Sequence, residues 1–542
     1  MAIELINLQN TADFLKLAYD FGDDLPLKRI LLACEAAGCG SAVKETQVND
    51  DEYSSEYEDF YKYVFSSKPP SETIRFHLFK DRLGNLTKET LEKARENNYL
   101  GYCTLRPLKR NKVCDAFIDK KVIMDEESRF VYLLCAMDKK INLGGVEFNI
   151  SGFPYMQQDG RITACAQVAV RIISQYLAWK NSTTKALTSP EVTRLVRHIP
   201  SQLNQPLRIV PTSGLEVPHL RAAFESLESL DCDPIIYDYT FAKREKVYVE
   251  CADQIIYRYL ESGLPVLVGI DMPEARHAIV VIGHTFNPDY WMSQASSKYY
   301  KLPEPGEKQY KKGMEYHCSS SWVQNFIIQD DNLGPYHFVD ASFLRVSTSC
   351  VIIPLPKSVY LRAEDAEAQG YDMIYRTSEV GRILDRALSQ LEANPQSKSN
   401  ANWLKMFITS RDKHELILRT YLRKTSELLS ELDKFTRTVE IKQEIRNMTS
   451  LPNYVWVVEI SWPDIFCHMR KKCGEIIIDA TASETDFFDS ILAMHLPGFF
   501  YKKLIPEDSE YFKVIFEDDQ PFRHLYRKKK PIPVNLPPGQ FA

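Results

Sequence analysis

A thiol, an imidazole and a pair of acids stand out along this chain, because each sits where the backbone would aim it. Cys165 lies in "YMQQDGRITACAQVAVRIISQYL", Tyr155 to Leu177, where polar residues and a glycine give way to small residues and then to helical spacing. Val168, Ala169, Ile172, Ile173 and Tyr176 fall on one helical face. Thr163 is the expected N-cap, which puts Cys165 in the first turn. First-turn amides and the positive end of the helix dipole stabilise a thiolate there and make it a nucleophile. When such a thiolate attacks a carbonyl, the developing oxyanion needs donors. The backbone N–H of Cys165 is one, and the side-chain amide of Gln158, seven residues upstream across the turn "DGRITA", is the other. Gln157 is the lesser candidate.

The imidazole comes later. "SGLPVLVGIDMPEARHAIVVIGHTF" reads as two strands, Leu264–Ile270 and Ala278–Ile282, joined by a short polar loop. His277 stands where the loop enters the second strand, and Gly283 is expected to end that strand before His284. A strand start holds a general base rigidly toward a cleft. "NFIIQDDNLGPYHF" then gives a strand followed by consecutive acids, Asp330 and Asp331. A carboxylate at that exit can accept the second imidazole N–H and favour the imidazolium partner of a thiolate. Cysteine on a helix, histidine on a strand and aspartate on the next strand form an ordered set far more specific than any one member. His284 and His337 read as structural, and Cys232 and Cys251 as core cysteines.

Three motifs, "QQDGRITACAQVAV", "RHAIVVIGHT" and "FIIQDDNLGP", together resemble the papain-like cysteine peptidase superfamily, and within it the bacterial bacteriocin-processing-peptidase-like branch. "PTSGLEVPHLRAAFESL" looks like the second helix of that branch. The resemblance covers about 200 of the 542 residues. It implies an α+β domain in which a helix carrying the cysteine packs on an antiparallel sheet carrying the histidine and the aspartate. It makes Cys165 the nucleophile, His277 the base, Gln158 the oxyanion donor and Asp330 the orienting acid. Asp331 is the alternative acid; Asp330 is preferred because it lies nearer the end of the apolar strand. The glutamine-to-cysteine spacing is one residue longer than usual for the branch. His277 and Asp330 are 53 positions apart, so a tyrosine- and lysine-rich insertion, "NPDYWMSQASSKYYKLPEPGEKQYKKGMEYHCSSS", is expected as a lid or as a surface segment packed on a neighbouring domain. The implied activity is that of an intracellular cysteine peptidase or isopeptidase working through a thioester on a protein or peptide substrate. Resolution of the thioester by an amine would instead make an acyltransferase or transglutaminase, and a chain that only binds would be a scaffold.

Other elements must hold these residues in place. A chain of 542 residues exceeds a single core, and three domains are expected, 1–145, 146–355 and 356–542. The glycine pair in "NLGGVEF" marks the first boundary and the prolines of "VIIPLPKSVYLRAEDAE" the second. In the first domain "FLKLAYDF" and "KRILLACEAAG" read as helices, and "ETIRFHLFKD" and "YLGYCTLRPL" as strands. The aromatic stripe of "VNDDEYSSEYEDFYKYVF" reads as core, with its acids on the solvated face. In the third domain "YDMIYRTSEVGRILDRALSQL" and "KHELILRTYLRKTSELLSELDKF" read as amphipathic helices, followed by strands "YVWVVEISW" and "GEIIIDATA". The basic, proline-rich end "YRKKKPIPVNLPPGQ" reads as a docked or frayed tail that could engage a partner protein.

Composition narrows the function classes. With 44% hydrophobic and 26% charged residues, the expectation is a globular cytoplasmic protein. A net charge of −6 with interspersed signs gives no pull toward nucleic acid or membrane. The acidic N-terminus is unlike a secretory leader. Twelve scattered cysteines fit a reducing compartment. No Cys-x-x-Cys pair occurs, and the Cys34/Cys39 and Cys467/His468/Cys473 clusters lack zinc-site spacing, so neither metal nor cofactor is expected.

Overall fold

The computed structural model describes residues 3–64, 68–95, 98–110, 112–123, 130–161, 164–183, 186–199, 214–245, 249–273, 275–286, 316–435, 438–448, 451–467, 469–483, 487–503, 512–517 and 523–525. Thr163, His468, most of the insertion and the basic tail lie outside them.

The fold is mixed α+β, built on three seven-stranded sheets. The first takes β1 (Ile3–Asn7), β2 (Ser41–Val48), β3 (Thr73–Phe79), β4 (Tyr99–Leu105) and β5 (Val113–Asp119) as antiparallel neighbours. β6 (Phe130–Tyr132) leaves for the second sheet, and the hairpin of β7 (Met137–Leu143) and β8 (Val146–Tyr155) returns to pair with β5. The glycine pair is therefore no domain boundary. Leu143 pairs with Val146, and Gly144 and Gly145 make the two-residue turn between them with φ of 58° and 80°. That backbone is the one a tight hairpin demands and glycine supplies. The first sheet accordingly extends to Tyr155, past the expected limit at 145.

The second sheet holds β9 (Asp233–Asp238), β10 (Val266–Asp271), β11 (Arg276–Phe286), β13 (Asn325–Asp330), β14 (Gly334–Asp340) and β15 (Thr348–Leu355), in the order β14-β13-β11-β10-β15-β9, with β6 added against the far end of β11. β11 does not stop at Gly283. A side chain there would sit 2.4 Å from the Tyr132 carbonyl oxygen, so the missing Cβ lets β6 lie alongside while the strand runs on. β11 is buried along almost its whole length because helices cover it, which explains its unbroken apolar run. One of those helices, Cys165–Lys180, packs directly on β11. The helix of the "PTSGLEVPHLRAAFESL" motif forms over Val217–Glu225.

The third sheet runs β12 (His317–Cys318), β16 (Ile417–Lys424), β17 (Tyr454–Ser461), β19 (Gly474–Asp479), β20 (Ile491–Leu496), β21 (Phe499–Lys503) and β22 (Phe512–Phe516); β18 (Lys471–Lys472) and β23 (Arg523–His524) pair beside it. Only the β12–β16 pair is parallel among the described strands. The insertion after β11 thus returns with His317–Cys318 paired on this neighbouring sheet and Tyr316 bonded to Glu367 of the helix Ala363–Tyr375. "KHELILRTYLRKTSELLSELDKF" is not one helix. Its first half is β16, and a helix follows at Thr425–Phe435. Arg419 and Arg423 are buried and paired with glutamates, which lets both faces of the strand be covered. The acids of "VNDDEYSSEYEDF" are corrected in the same way. Tyr53 and Tyr61 are core, but so are Glu52 and Glu56, held by Arg171 and Arg106.

The largest apolar cluster runs from Leu8 to Tyr501 through all three sheets, and a smaller one covers alternate residues of the third sheet, Tyr421, Val455, Val457, Ile477 and Ala493 among them.

Candidate active site

The helix Cys165–Lys180 starts at the cysteine itself. Its N-cap is Ala164, extended at φ −113° and ψ 169°, with no side-chain cap. Cys165 is half-buried, while most of the helix behind it is fully buried. The thiol therefore sits at the helix mouth, with the helix held rigidly by its own core face. A cavity of about 10 Å³, room for roughly one water, lies between helix and sheet, lined by Cys165, Met156, Ala278, Gln329 and Asp331 among others.

His277 is the second residue of β11 and pairs with Ile270 of β10. The Cys165 thiol is among the groups that raise its titration. The His277 Nε2 faces the acids, 3.2 Å from Asp330 Oδ1 and 3.5 Å from Asp331 Oδ1. The Nε2–H is not aligned squarely on either oxygen, so the contact is chiefly one of charge. Burial alone would push the imidazole down, and is the largest single influence. The Asp330 and Cys165 contacts and the two carboxylate charges outweigh it and raise His277 to about 10. The ring is an imidazolium at neutral pH.

The two acids differ. Asp330 ends β13, and its Oδ1 accepts the backbone N–H of Asn332 at 2.8 Å and of Leu333 at 3.0 Å. Burial opposes its ionisation, but the imidazole and these amides hold its carboxyl below the usual range. Asp331 is buried with neither oxygen well hydrogen-bonded. Burial pushes it up to about 7, against the pull of His277 and nearby amides and with Asp330 adding repulsion. Asp330 is the charged partner of His277, and Asp331 a half-neutral neighbour beside the thiol cavity.

The glutamines are less free than the sequence suggests. Gln158 Nε2 donates to Asn332 Oδ1 at 3.0 Å, which ties it to the acid turn. Gln157 is a latch: its Oε1 accepts from Val113 N at 3.1 Å and its Nε2 donates to Asp24 Oδ1 at 3.0 Å. His284 binds Glu261 and the Thr285 carbonyl, and His337 lies against Arg29. Cys232 is buried, whereas Cys251 is exposed and caps the helix Ala252–Glu261, contrary to a core role. Asn332 and the Leu333 amide escape a motif search, although D-x-N-x-G is a turn pattern whose leading aspartate accepts amides two and three residues on.

Among the described residues, one group converges as metal ligands do: His277, Asp330 and Asp331, with ligand atoms within 4.8 Å of one another. The nitrogen that faces these acids carries a proton in the imidazolium, and a protonated nitrogen has no lone pair for a metal. Ion binding and the charged pair are thus mutually exclusive. No protein-family model and no curated protein matches this chain.

Proposed function

We propose that the protein is a papain-like cysteine peptidase or isopeptidase with Cys165 as nucleophile, His277 as acid and base, and Asp330 as the orienting carboxylate. One observation carries this: a single imidazole lies 3.2 Å from an amide-anchored carboxylate and is influenced by the helix-mouth thiol. In the reaction, the Cys165 thiolate adds to the carbonyl carbon of a peptide or isopeptide bond. The Cys165 backbone N–H receives the oxyanion, and Gln158 joins it by leaving Asn332. Collapse breaks the C–N bond as His277 passes its proton to the departing amine. Neutral His277 then takes a proton from water, whose oxygen attacks the thioester and frees the acid and the thiol. Asp330 keeps the ring oriented and its charged form favoured in both steps. The substrate is a protein or peptide, and the unpaired cysteines fit work in a reducing cytoplasm.

The test compares wild type with Cys165→Ala and His277→Ala on peptide and isopeptide libraries, with thiol alkylation followed at pH 7. Cys165 is expected to alkylate faster than the eleven other cysteines, and both substitutions to lower amine release by about 10³-fold or more. Alkylation of Cys165 no faster than its neighbours would sink the proposal. Incorporation of added amines without hydrolysis would make the chain an acyltransferase instead.

A further inference from the structure

The turn that carries the two acids is held from outside its own sheet. β13 ends at Asp330 and β14, the edge strand, starts at Gly334, so Asp331, Asn332 and Leu333 make the connection. The Asn332 and Leu333 amides anchor the Asp330 carboxylate only as firmly as this turn is itself fixed, and a short connection at a sheet edge has little rigidity of its own. The fixing contacts come from chain that precedes the cysteine helix. The Tyr155 hydroxyl of β8 donates to the Asp331 carbonyl at 3.3 Å, and Gln158 donates to the Asn332 side chain. Arg29 Nη1 donates to the Leu333 carbonyl at 3.0 Å, and Gly334 lies against Pro26 and Arg29. Each residue from Asp331 to Gly334 thus has its own tie.

These ties differ in strength and permanence. The Tyr155 contact is long for an O–H donor. Gln158 leaves Asn332 when it turns to an oxyanion. Arg29 stays. It sits on the helix Leu25–Ala36, which Leu27, Ile30, Leu31 and Cys34 bury in the largest apolar cluster. Among the described residues Arg29 has no carboxylate within ion-pair distance; its other polar contact is His337 Nδ1 at 3.5 Å. A half-buried guanidinium therefore gives its charge-assisted hydrogen bond to the carbonyl of the same residue whose amide anchors Asp330.

We propose that Arg29 is a positioning residue of the thiol site, clamping the acid turn through Leu333 and so holding the Asp330 carboxylate against His277. The clamp stands on geometry; its effect on turnover rests on the peptidase reading. The second sheet and its helix supply the reacting groups, and the helix Leu25–Ala36 sets the turn on which one of them depends. Without the clamp Leu333 is free to swing, its amide withdraws from Asp330, and the 3.2 Å approach of Asp330 to His277 lengthens. His277 then loses part of what keeps it charged, and Cys165 part of what keeps it a thiolate. Arg29 acts through the turn and not on the substrate, so kcat and not KM carries the change.

The test compares the full chain with Arg29→Met, Arg29→Lys and, as a control on the same helix, Lys28→Met, whose ammonium faces Asp23 at 3.9 Å. The His277 titration is followed by NMR with isotope-labelled histidine, its signal assigned by its loss in His277→Gln; Cys165 alkylation and peptide turnover are measured beside it. Arg29→Met is expected to lower the His277 midpoint by about one pH unit or more. It should also slow alkylation at pH 7 and lower kcat by about three- to tenfold, with KM within about twofold. Arg29→Lys keeps one donor and should restore all three; Lys28→Met should match wild type. Arg29→Gln, polar but too short for the carbonyl, should behave as Arg29→Met and decides the matter if that variant fails to fold. The histidine titration needs no turnover. If wild-type Cys165 alkylates no faster than the other cysteines, the peptidase reading fails, while a shifted His277 midpoint still upholds the clamp. The proposal is overturned if folded Arg29→Met or Arg29→Gln leaves the His277 midpoint unchanged, even with a lowered Tm, or if Arg29→Lys restores nothing.

Discussion

Asp330 and Asp331 are adjacent in the chain and electrostatically opposite, and the difference is one of local hydrogen bonds. Two backbone amides and an imidazole hold Asp330 charged, whereas Asp331 is buried without comparable support. Asp330→Asn is expected to lower kcat/KM by about tenfold or more, because the ring loses its charged anchor. Asp331→Asn should leave kcat/KM close to wild type; steady-state kinetics at pH 7 separate the two. Stability moves the other way for Asp331. The unfolded chain releases this proton near 3.8 and the folded protein near 7. Between those values the folded state holds the extra proton, so stability falls as pH rises and stays lowered above 7. Asp331→Asn should therefore raise Tm at pH 8 and leave it nearly unchanged at pH 3.5. The thiol, the imidazole and the acid pair were legible in the sequence because each sits at the end of a regular element. The partner of Gln158 was not, since Asn332 reaches it only after β13 and β14 have folded back.

At the scale of elements, misreadings cluster where a charge finds a partner far along the chain. Glu52 reads as surface until Arg171 arrives from 119 positions away, and β16 reads as a helix face until its Arg419 meets Glu459 of the neighbouring strand. Helical spacing and a buried strand with paired charges look alike in one dimension. Gly144–Gly145 is a turn signal, and the turn it makes lies within the first sheet. The joint between the first and second sheets is also a side-chain matter. Tyr336 of β14 donates its hydroxyl to the Ile118 carbonyl at 2.6 Å and accepts the Phe153 N–H at 3.0 Å. Tyr336→Phe leaves a buried N–H without its partner and is expected to destabilise the protein by about 1–3 kcal/mol. Urea unfolding read by circular dichroism checks this, an unchanged midpoint counting against the joint.

Across the whole molecule one large apolar cluster touches all three sheets, and a network of buried polar groups joins the second sheet to the third. His284 of β11 meets Glu261; Glu261 takes Arg419 of β16 at 2.7 Å; Arg419 reaches Glu459 of β17; and Lys472 of β18 joins Glu459 at 2.8 Å to Glu475 of β19 at 2.6 Å. Arg419→Met removes the cation that Glu261 and Glu459 share and should cost roughly 3–5 kcal/mol. If the three units unfolded separately, a calorimetric scan of this variant would lose one transition and keep the rest; a shared core predicts that a single transition moves. None of this continuity shows in the sequence, where composition shifts suggest separable domains. β6 adds a dimension of time. Its partner on β11 follows about 150 residues later, which at 5–20 residues per second is roughly 10–30 s of synthesis. Over that interval the ribosome carries a nascent chain whose strand Phe130–Tyr132 has an open edge, so the second sheet is finished only after the histidine has emerged. The thiol of Cys165 is made well before its base, and the growing chain carries no assembled active site during that delay.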